Sequence, residues 1–224
     1  MTSTQPTKRT YQKIAAVYQQ QADEYDNWFN NSPLFATELL ALQSLENNLS
    51  FPRFEIGSGP GRFAAHLKVE IGIDPAPAAL QHGLARGIMG VAGIAEQLPL
   101  ADNSAGTLFL LFTLCFLADP RSALKECYRV LRPDGNLVIS HFQANSPWGE
   151  WLKKKQRTGN PFYQYAHFFT TKEVTNLLHE AGFTLTLSRS TLFQLPGKVT
   201  RVEKPISGIN ECGGVAVLLV HKEE

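Results

Sequence analysis

Apolar positions along the chain follow two periods in alternation. Short runs bounded by turn residues occur at Phe54-Glu-Ile56, Ile71-Gly-Ile73, Gly90 to Ile94, Gly106 to Phe116, Asn136 to Ser140, Phe183 to Phe193 and Gly214 to Val220. These read as strands, and the nearly continuous run after Gly106 reads as one buried on both faces. Between them the apolar residues recur every three or four positions, as at Phe63, Ala64 and Leu67, and again at Ala123, Leu124, Cys127, Val130 and Leu131. That spacing predicts helices with one buried stripe. Ala76 to Ala85 reads as a further helix with Pro77 in its first turn, and Asp119-Pro120 as an N-cap followed by Pro. Thr170-x-x-Glu173 is a capping box opening a helix over Lys172 to Ala181, closed by Gly182. Strands alternating with helices predict an α/β sheet.

Upstream of this alternation, Ile14, Val17, Tyr18, Tyr25, Trp28 and Phe29 stand at roughly helical spacing, broken by Asp23 and Asn27. A second helix is expected over Pro33 to Leu49, carrying Leu34, Leu39, Leu42 and Leu45. Residues 1–10 are polar and are expected to be a disordered tail. Pro147 to Arg157 sets Trp148 and Trp151 beside Lys153-Lys-Lys155. The expectation is a surface helix, and membrane contact is the less favoured alternative because its apolar face is short. Residues 194–213 form a long connection rich in turn residues, a candidate lid over a substrate pocket.

The strand at Phe54 ends in Gly57-Ser-Gly59-Pro-Gly61, and a helical pattern follows at once. Glycines at such a turn allow positive φ and let a ligand approach the backbone. The free N–H groups of the following helix favour negative ligand groups. A dinucleotide site would read G-x-G-x-x-G, whereas the spacing here is G-x-G-x-G. Glu55 stands two positions before the first glycine, where a carboxylate would repel a pyrophosphate but suit an ammonium or sulfonium. Roughly 20 residues further on, the next strand ends in Asp74, the position of a ribose-binding acid. Together these residues point to a nucleoside site.

Four ordered stretches carry a resemblance. Glu55-Ile-Gly-Ser-Gly-Pro-Gly61, Gly72-Ile-Asp-Pro75, Ala95-Glu-Gln-Leu-Pro99 and Leu131-Arg-Pro-Asp-Gly135 resemble the motifs of class I S-adenosylmethionine-dependent methyltransferases. They are most similar to the type 11 group that includes the ubiquinone and menaquinone C-methyltransferases. The resemblance implies a single Rossmann-like domain over residues 1–224. Its expected form is a three-layer sandwich with a seven-stranded, mostly parallel sheet and an antiparallel last strand. It also implies that residues 11–49 cap the cofactor, with Tyr25 in the lid. S-adenosylmethionine is then the cofactor, its methionine portion lying against Gly57, Ser58, Gly59 and Gly61 with Glu55 at the ammonium. Asp74 and the adjoining Pro75 take the ribose. The Ala95-Glu96 loop lies at the adenine edge, although relatives place an Asp where this chain has Ile94. Relatives also begin the fourth strand with Asp, where Gly106 stands here for what reads as a structural reason.

Composition narrows the chemistry. With 21 basic and 20 acidic residues and no block of one sign, the chain lacks the electrostatic footprint of a nucleic-acid binder. No apolar run of membrane-spanning length and no signal peptide is evident, so the expected location is the cytoplasm, without stable membrane insertion. Three cysteines without C-x-x-C spacing argue against a disulfide framework or a zinc site, and no cluster suits magnesium, so no metal is expected. Parallel sheets bind ligands at strand carboxyl ends, which brings in Phe112, Thr113, Leu114, Cys115 and Phe116. Cys115 reads as a small buried hydrophobe. If the acceptor must lose a proton, His141 at a strand end and His167 in Tyr165-Ala-His-Phe-Phe169 are the candidate catalytic bases; related sequences carry Ala-His-Trp at the latter point. The expected acceptor is a small, apolar or aromatic molecule enclosed by Tyr25, Trp28, Phe116, His141 and His167. The rival readings are a non-catalytic cofactor-binding or sensor module and a nicotinamide oxidoreductase, the latter lacking a hydride-transfer pair such as Tyr-x-x-x-Lys.

Overall fold

The apolar runs become strands and the helical stretches cover them on both faces. The computed structural model describes residues 8–223. The strands are β1 (Arg53–Ile56), β2 (Ile71–Asp74), β3 (Met89–Ala92), β4 (Ala105–Leu111), β5 (Leu131–Phe142), β6 (Phe183–Thr191), β7 (Ile206–Ser207) and β8 (Val215–Lys222). Their order in one sheet is β3-β2-β1-β4-β5-β8-β6-β7. The first five are parallel neighbours, whereas β8 runs antiparallel to both β5 and β6. The expected sheet is therefore present with one addition. The connection over 194–213 folds back and pairs Ile206 and Ser207 with Ser190 and Arg189, adding an eighth strand at the edge.

The period of two along β4 divides the core. Leu108 and Leu110 join one apolar cluster, while Phe109 and Leu111 join the other. The first cluster takes its helical partners from α6 (Pro120–Val130) and α8 (Thr171–Glu180). Cys127 lies fully buried in it, as its place in the stripe requires. The second is covered by α3 (Pro33–Gln43), α4 (Arg62–His66) and α7 (Pro147–Arg157). Burying a side chain such as Leu or Phe contributes about 1.5–3 kcal/mol, so a sheet covered on both faces holds its strand ends firmly. Gly106 has its structural reason here, because an added Cβ would run into the backbone carbonyl of Phe51.

Helix α7 is the surface helix expected of it, with its apolar face turned inward. Trp148 is only 4% exposed and its indole N–H donates to the Gln194 carbonyl at 2.8 Å. Trp151 is half-buried, with Lys155 Nζ 4.1 Å from its ring centre. The apolar face of α7 is thus spent on the core, and its lysines cover the outside. No helix among the described residues is long and apolar enough to cross a membrane.

Two N-terminal helices, α1 (Lys8–Gln20) and α2 (Ala22–Asn27), close over the end of the sheet where β1 and β4 stop. Lys8 to Thr10 fall inside the stretch read as a tail, and residues 1–7 lie outside the described residues. Charge fastens this cap. The Asp26 carboxylate accepts from Arg62 Nε at 2.7 Å and from Arg86 at 2.8 Å. Arg62 is the first residue of α4, so the forked pair ties the cap directly to the glycine turn. The two guanidinium groups hold the Asp26 carboxyl below the usual carboxylate range against the opposing effect of its burial.

Candidate functional site

Neighbouring strands leave on opposite sides at β1 and β4, where the order of the sheet reverses. In open α/β sheets that reversal opens a crevice at the strand carboxyl ends. A cavity of about 110 Å³ lies there. Its floor is the turn after β1, whose three glycines hold φ of 70°, 50° and 72°. Gly57 admits no side chain, because a methyl added there would overlap Thr113 from the end of β4. The Gly57 N–H donates to the Ile73 carbonyl at 2.7 Å, which fixes the turn to β2.

Asp74 closes one side. Its Oδ2 accepts from the Gly59 N–H at 2.9 Å and its Oδ1 from the Ala76 N–H at 2.8 Å. A carboxylate offers about four acceptor positions, so each oxygen keeps one free for a ligand hydroxyl. Burial pushes its carboxyl up to about 6, opposed by those two N–H bonds. The other wall is the loop after β3. Glu96 Oε1 accepts from the Ala118 and Asp119 N–H groups, which leaves Ile94 and Ala95 to present backbone and apolar surface.

Nine of the twelve residues expected to bind a cofactor line this cavity: Tyr25, Gly57, Gly59, Asp74, Pro75, Ala95, Glu96, Phe112 and Thr113. Glu55, Ser58 and Gly61 do not. Gly61 is the N-cap of α4 and packs on Gly83 of α5 (Pro77–Ala85). Ser58 turns its hydroxyl over Gly72. Glu55 lies beneath the turn, 2% exposed, with no hydrogen-bond partner for its Oε2 among the described residues. Its burial, and then the nearby Asp74, drive its carboxyl well above the usual range. The Ala64 N–H opposes that rise, and the oxygen left unpaired is a place for positive charge. Helix α1 supplies further walls through Ile14 and Tyr18, which sequence reasoning gave only as a packing stripe, and through Tyr11 and Ala15, which it did not single out.

A second cavity, of about 100 Å³, lies behind the first. Tyr18, Tyr25, Phe112 and Phe116 line both, forming a shared aromatic wall. Phe112 holds φ of 55°, a left-handed conformation that costs a non-glycine residue roughly 1–2 kcal/mol. Trp28, Phe29, Phe35 and Tyr163 enclose the second cavity further, and Glu38 reaches it from α3. Cys115 also lines it, half-buried rather than fully so, with its thiol pushed up to about 12 by burial.

The two histidines lie elsewhere. His141 is buried in β5, with Nδ1 3.2 Å from the Phe142 carbonyl and Nε2 3.3 Å from the Thr171 hydroxyl. Thr171 in turn donates to Gln143, whose amide donates to the Asn210 and Gly213 carbonyls. This network joins β5, α8 and the segment before β8. It lines neither cavity, so the position read for His141 facing the site is corrected. His167 also lines neither, its ring packing 4.4 Å from that of Phe169. Its backbone N–H donates to the Cys115 carbonyl at 2.7 Å. The connection over 194–213 contributes no lining residue and is held at the far edge of the sheet instead.

Burial lowers the His141 pKa from the ordinary 6.5 to about 4. The unfolded chain therefore takes up a proton that the folded chain refuses between those values. This stabilisation is fully present above pH 6.5 and is lost as pH falls toward 4. At about 1.4 kcal/mol per unit, the stability advantage of wild type over His141→Gln should shrink by roughly 3 kcal/mol between pH 7 and 4. Denaturant unfolding of both proteins across that range checks it, and a constant difference would remove the buried neutral imidazole.

Known proteins place this arrangement. The family described as Methyltransferase domain matches residues 54–139, which span β1 to β5 and both sides of the first cavity. The chain is similar to the crystal structure of an S-adenosylmethionine-dependent methyltransferase, possible histamine N-methyltransferase, from Thermotoga maritima. They are 33% identical, with a TM-score of 0.86 over 94% of this chain and 100% of that one. An uncharacterized protein of Methanocaldococcus jannaschii is 31% identical over 90% of this chain and 97% of its own length. An uncharacterized protein of Mycobacterium tuberculosis is 37% identical over 79% of this chain, and the match spans only 63% of that relative's length. With one-third identity over the full length of a solved relative on the same sheet, the chain belongs to the S-adenosylmethionine-dependent methyltransferases, the family named for that cofactor.

Proposed function

We propose that the chain transfers a methyl group from S-adenosylmethionine to a small molecule seated in the second cavity. The observation that carries this is the shared wall of Tyr18, Tyr25, Phe112 and Phe116, which separates a cavity fit for a nucleoside from one fit for an acceptor. In this reading residues 1–224 work as one domain, and the N-terminal helices cap the cofactor.

The residues fit the cofactor. Asp74 holds the ribose hydroxyls with its remaining acceptor positions, Pro75 shapes the edge beside it, and Gly57, Ser58, Gly59 and Gly61 form the turn against the methionine portion. Glu55, buried with an unpaired oxygen, is the counter-charge for the ammonium group, through water because it lies below the cavity floor. Ile94 and Ala95 take the adenine by surface contact, and Glu96 acts by holding the loop at Ala118 and Asp119. The bound cofactor supplies an electrophilic methyl on a sulfonium. The chain supplies orientation and dryness. Holding two reactants in line is worth roughly 7–11 kcal/mol in well-arranged cases, and aromatic walls exclude water that would compete. A cavity of about 100 Å³, against the ~150 Å³ of a space that admits a benzene ring, supports a small acceptor. His141 and His167, lying outside both linings, have no proton-transfer part in this proposal.

Incubation with methyl-labelled S-adenosylmethionine and fractionated metabolites tests it. Release of S-adenosylhomocysteine with label in a small product is the expected result. Cofactor binding with no turnover on any fraction would favour a binding module instead.

A further inference from the structure

Helix α3 carries an acid on its buried stripe. Glu38 stands at the spacing of Leu34, Leu42 and Leu45, and it is 6% exposed. No hydrogen bond or ion pair reaches its carboxylate among the described residues. Its side chain lines the second cavity, whose described lining holds no Lys, Arg or His. Uncompensated burial of an ionised carboxylate is expensive, and such groups are ordinarily paired. Around it, aromatic rings follow one another: Tyr25 and Phe29 are 5.3 Å apart between centres, and Phe29 and Phe35 are 5.2 Å apart. Trp28 adds a further face 5.3 Å from Tyr25. Aromatic faces attract a desolvated cation. An anion would meet the negative faces of those rings and the Glu38 carboxylate together.

Resting on the methyltransferase reading, we infer that the acceptor is a small primary or secondary amine, bound as an ammonium between the aromatic rings and Glu38, which then serves as the base. The amine gives its proton to the Glu38 carboxylate and exposes its lone pair. That lone pair forms the new N–C bond as the S–C bond breaks, and the electron pair of the broken bond goes to sulfur. The nitrogen emerges methylated and positively charged, still facing Glu38, and the surplus proton leaves with opening of the site. Burial holds the Glu38 carboxyl at about 8, close enough to neutrality to accept and release a proton. Tyr25 and Tyr163 are the titratable groups nearest in influence, and both remain neutral there because burial raises them.

The test separates this from the cofactor reading. Protein saturated with S-adenosylhomocysteine is titrated by calorimetry with benzylamine and phenethylamine, then with the matching alcohols and carboxylates. Amines should bind at least tenfold more tightly than their alcohols, and the carboxylates should bind worst. Glu38→Gln should abolish the preference while leaving S-adenosylhomocysteine affinity within about twofold. Glu38→Leu, which removes a buried carboxyl from an apolar stripe, should fold with unchanged or higher Tm and likewise lose the preference. No amine binding better than its alcohol, or a preference that survives Glu38→Gln, would overturn the inference. Failure of S-adenosylhomocysteine itself to bind would instead strike the cofactor reading.

Discussion

Replacing Asp74 with Ala is expected to lower S-adenosylmethionine affinity roughly ten- to a hundredfold. The carboxylate organises two backbone N–H groups, those of Gly59 and Ala76, and each oxygen keeps an acceptor position while Asp74 lines the cavity. A hydrogen bond to a charged group is worth about 1.5–3 kcal/mol, and its loss here is compounded by the release of the Gly59 N–H from its anchor. Asp74→Asn preserves one carbonyl oxygen but turns an amino group toward one of those N–H donors. It should therefore fall between wild type and Ala. Calorimetry on the three proteins, with thermal unfolding of each free protein as a control for the fold, decides the matter. Affinity undiminished in Asp74→Ala would remove the carboxylate from the site.

Gly57→Ala is expected to damage both the fold and the site. Two costs add. The position holds φ of 70°, which an L-residue occupies at a cost of roughly 1–2 kcal/mol. The new methyl would also overlap the Thr113 side chain, and overpacking of that kind costs typically 1–3 kcal/mol. A loss of about 2–5 kcal/mol in a chain of 224 residues corresponds to a Tm lower by roughly 4–20 °C. The double variant Gly57→Ala with Thr113→Ala divides the two causes. It should recover the overlap but retain the conformational cost, so stability returns only in part. Full recovery would mean that φ at this turn is unstrained, and no recovery would mean that Thr113 is not the obstacle.

What the sequence made legible is what local chemistry encodes. The glycine turn, the acid at the end of β2 and the capping box of α8 each depend on neighbours within a few residues, and each stands where its motif places it. The nearly continuous apolar run along β4 likewise assigned its buried character directly. The second cavity was legible only as a surplus of aromatics, because its walls come from α1, α2, α3, the end of β4 and the segment around Tyr163. Glu38 did carry a signal, an acid at the i+4 position of a leucine stripe, but its meaning depends on what the stripe faces. The histidines misled for the same reason. A strand end opens on two faces, and the network through Thr171 and Gln143 fixes His141 away from both cavities. The connection over 194–213 contains the residues of a cover, yet the free edge of β6 captured its Ile206 and Ser207 as a short strand.

The central claim is that the crevice between Gly57, Asp74 and Ala95 holds S-adenosylmethionine and that Tyr18, Tyr25, Phe112 and Phe116 separate it from the acceptor. A crystal structure of the complex with S-adenosylhomocysteine tests this most directly. The account predicts both ribose hydroxyls on the Asp74 carboxylate, the homocysteine portion along Gly57 to Gly59, and the sulfur toward the shared aromatic wall. A ligand bound elsewhere, or seated with Asp74 free of the ribose, would contradict it.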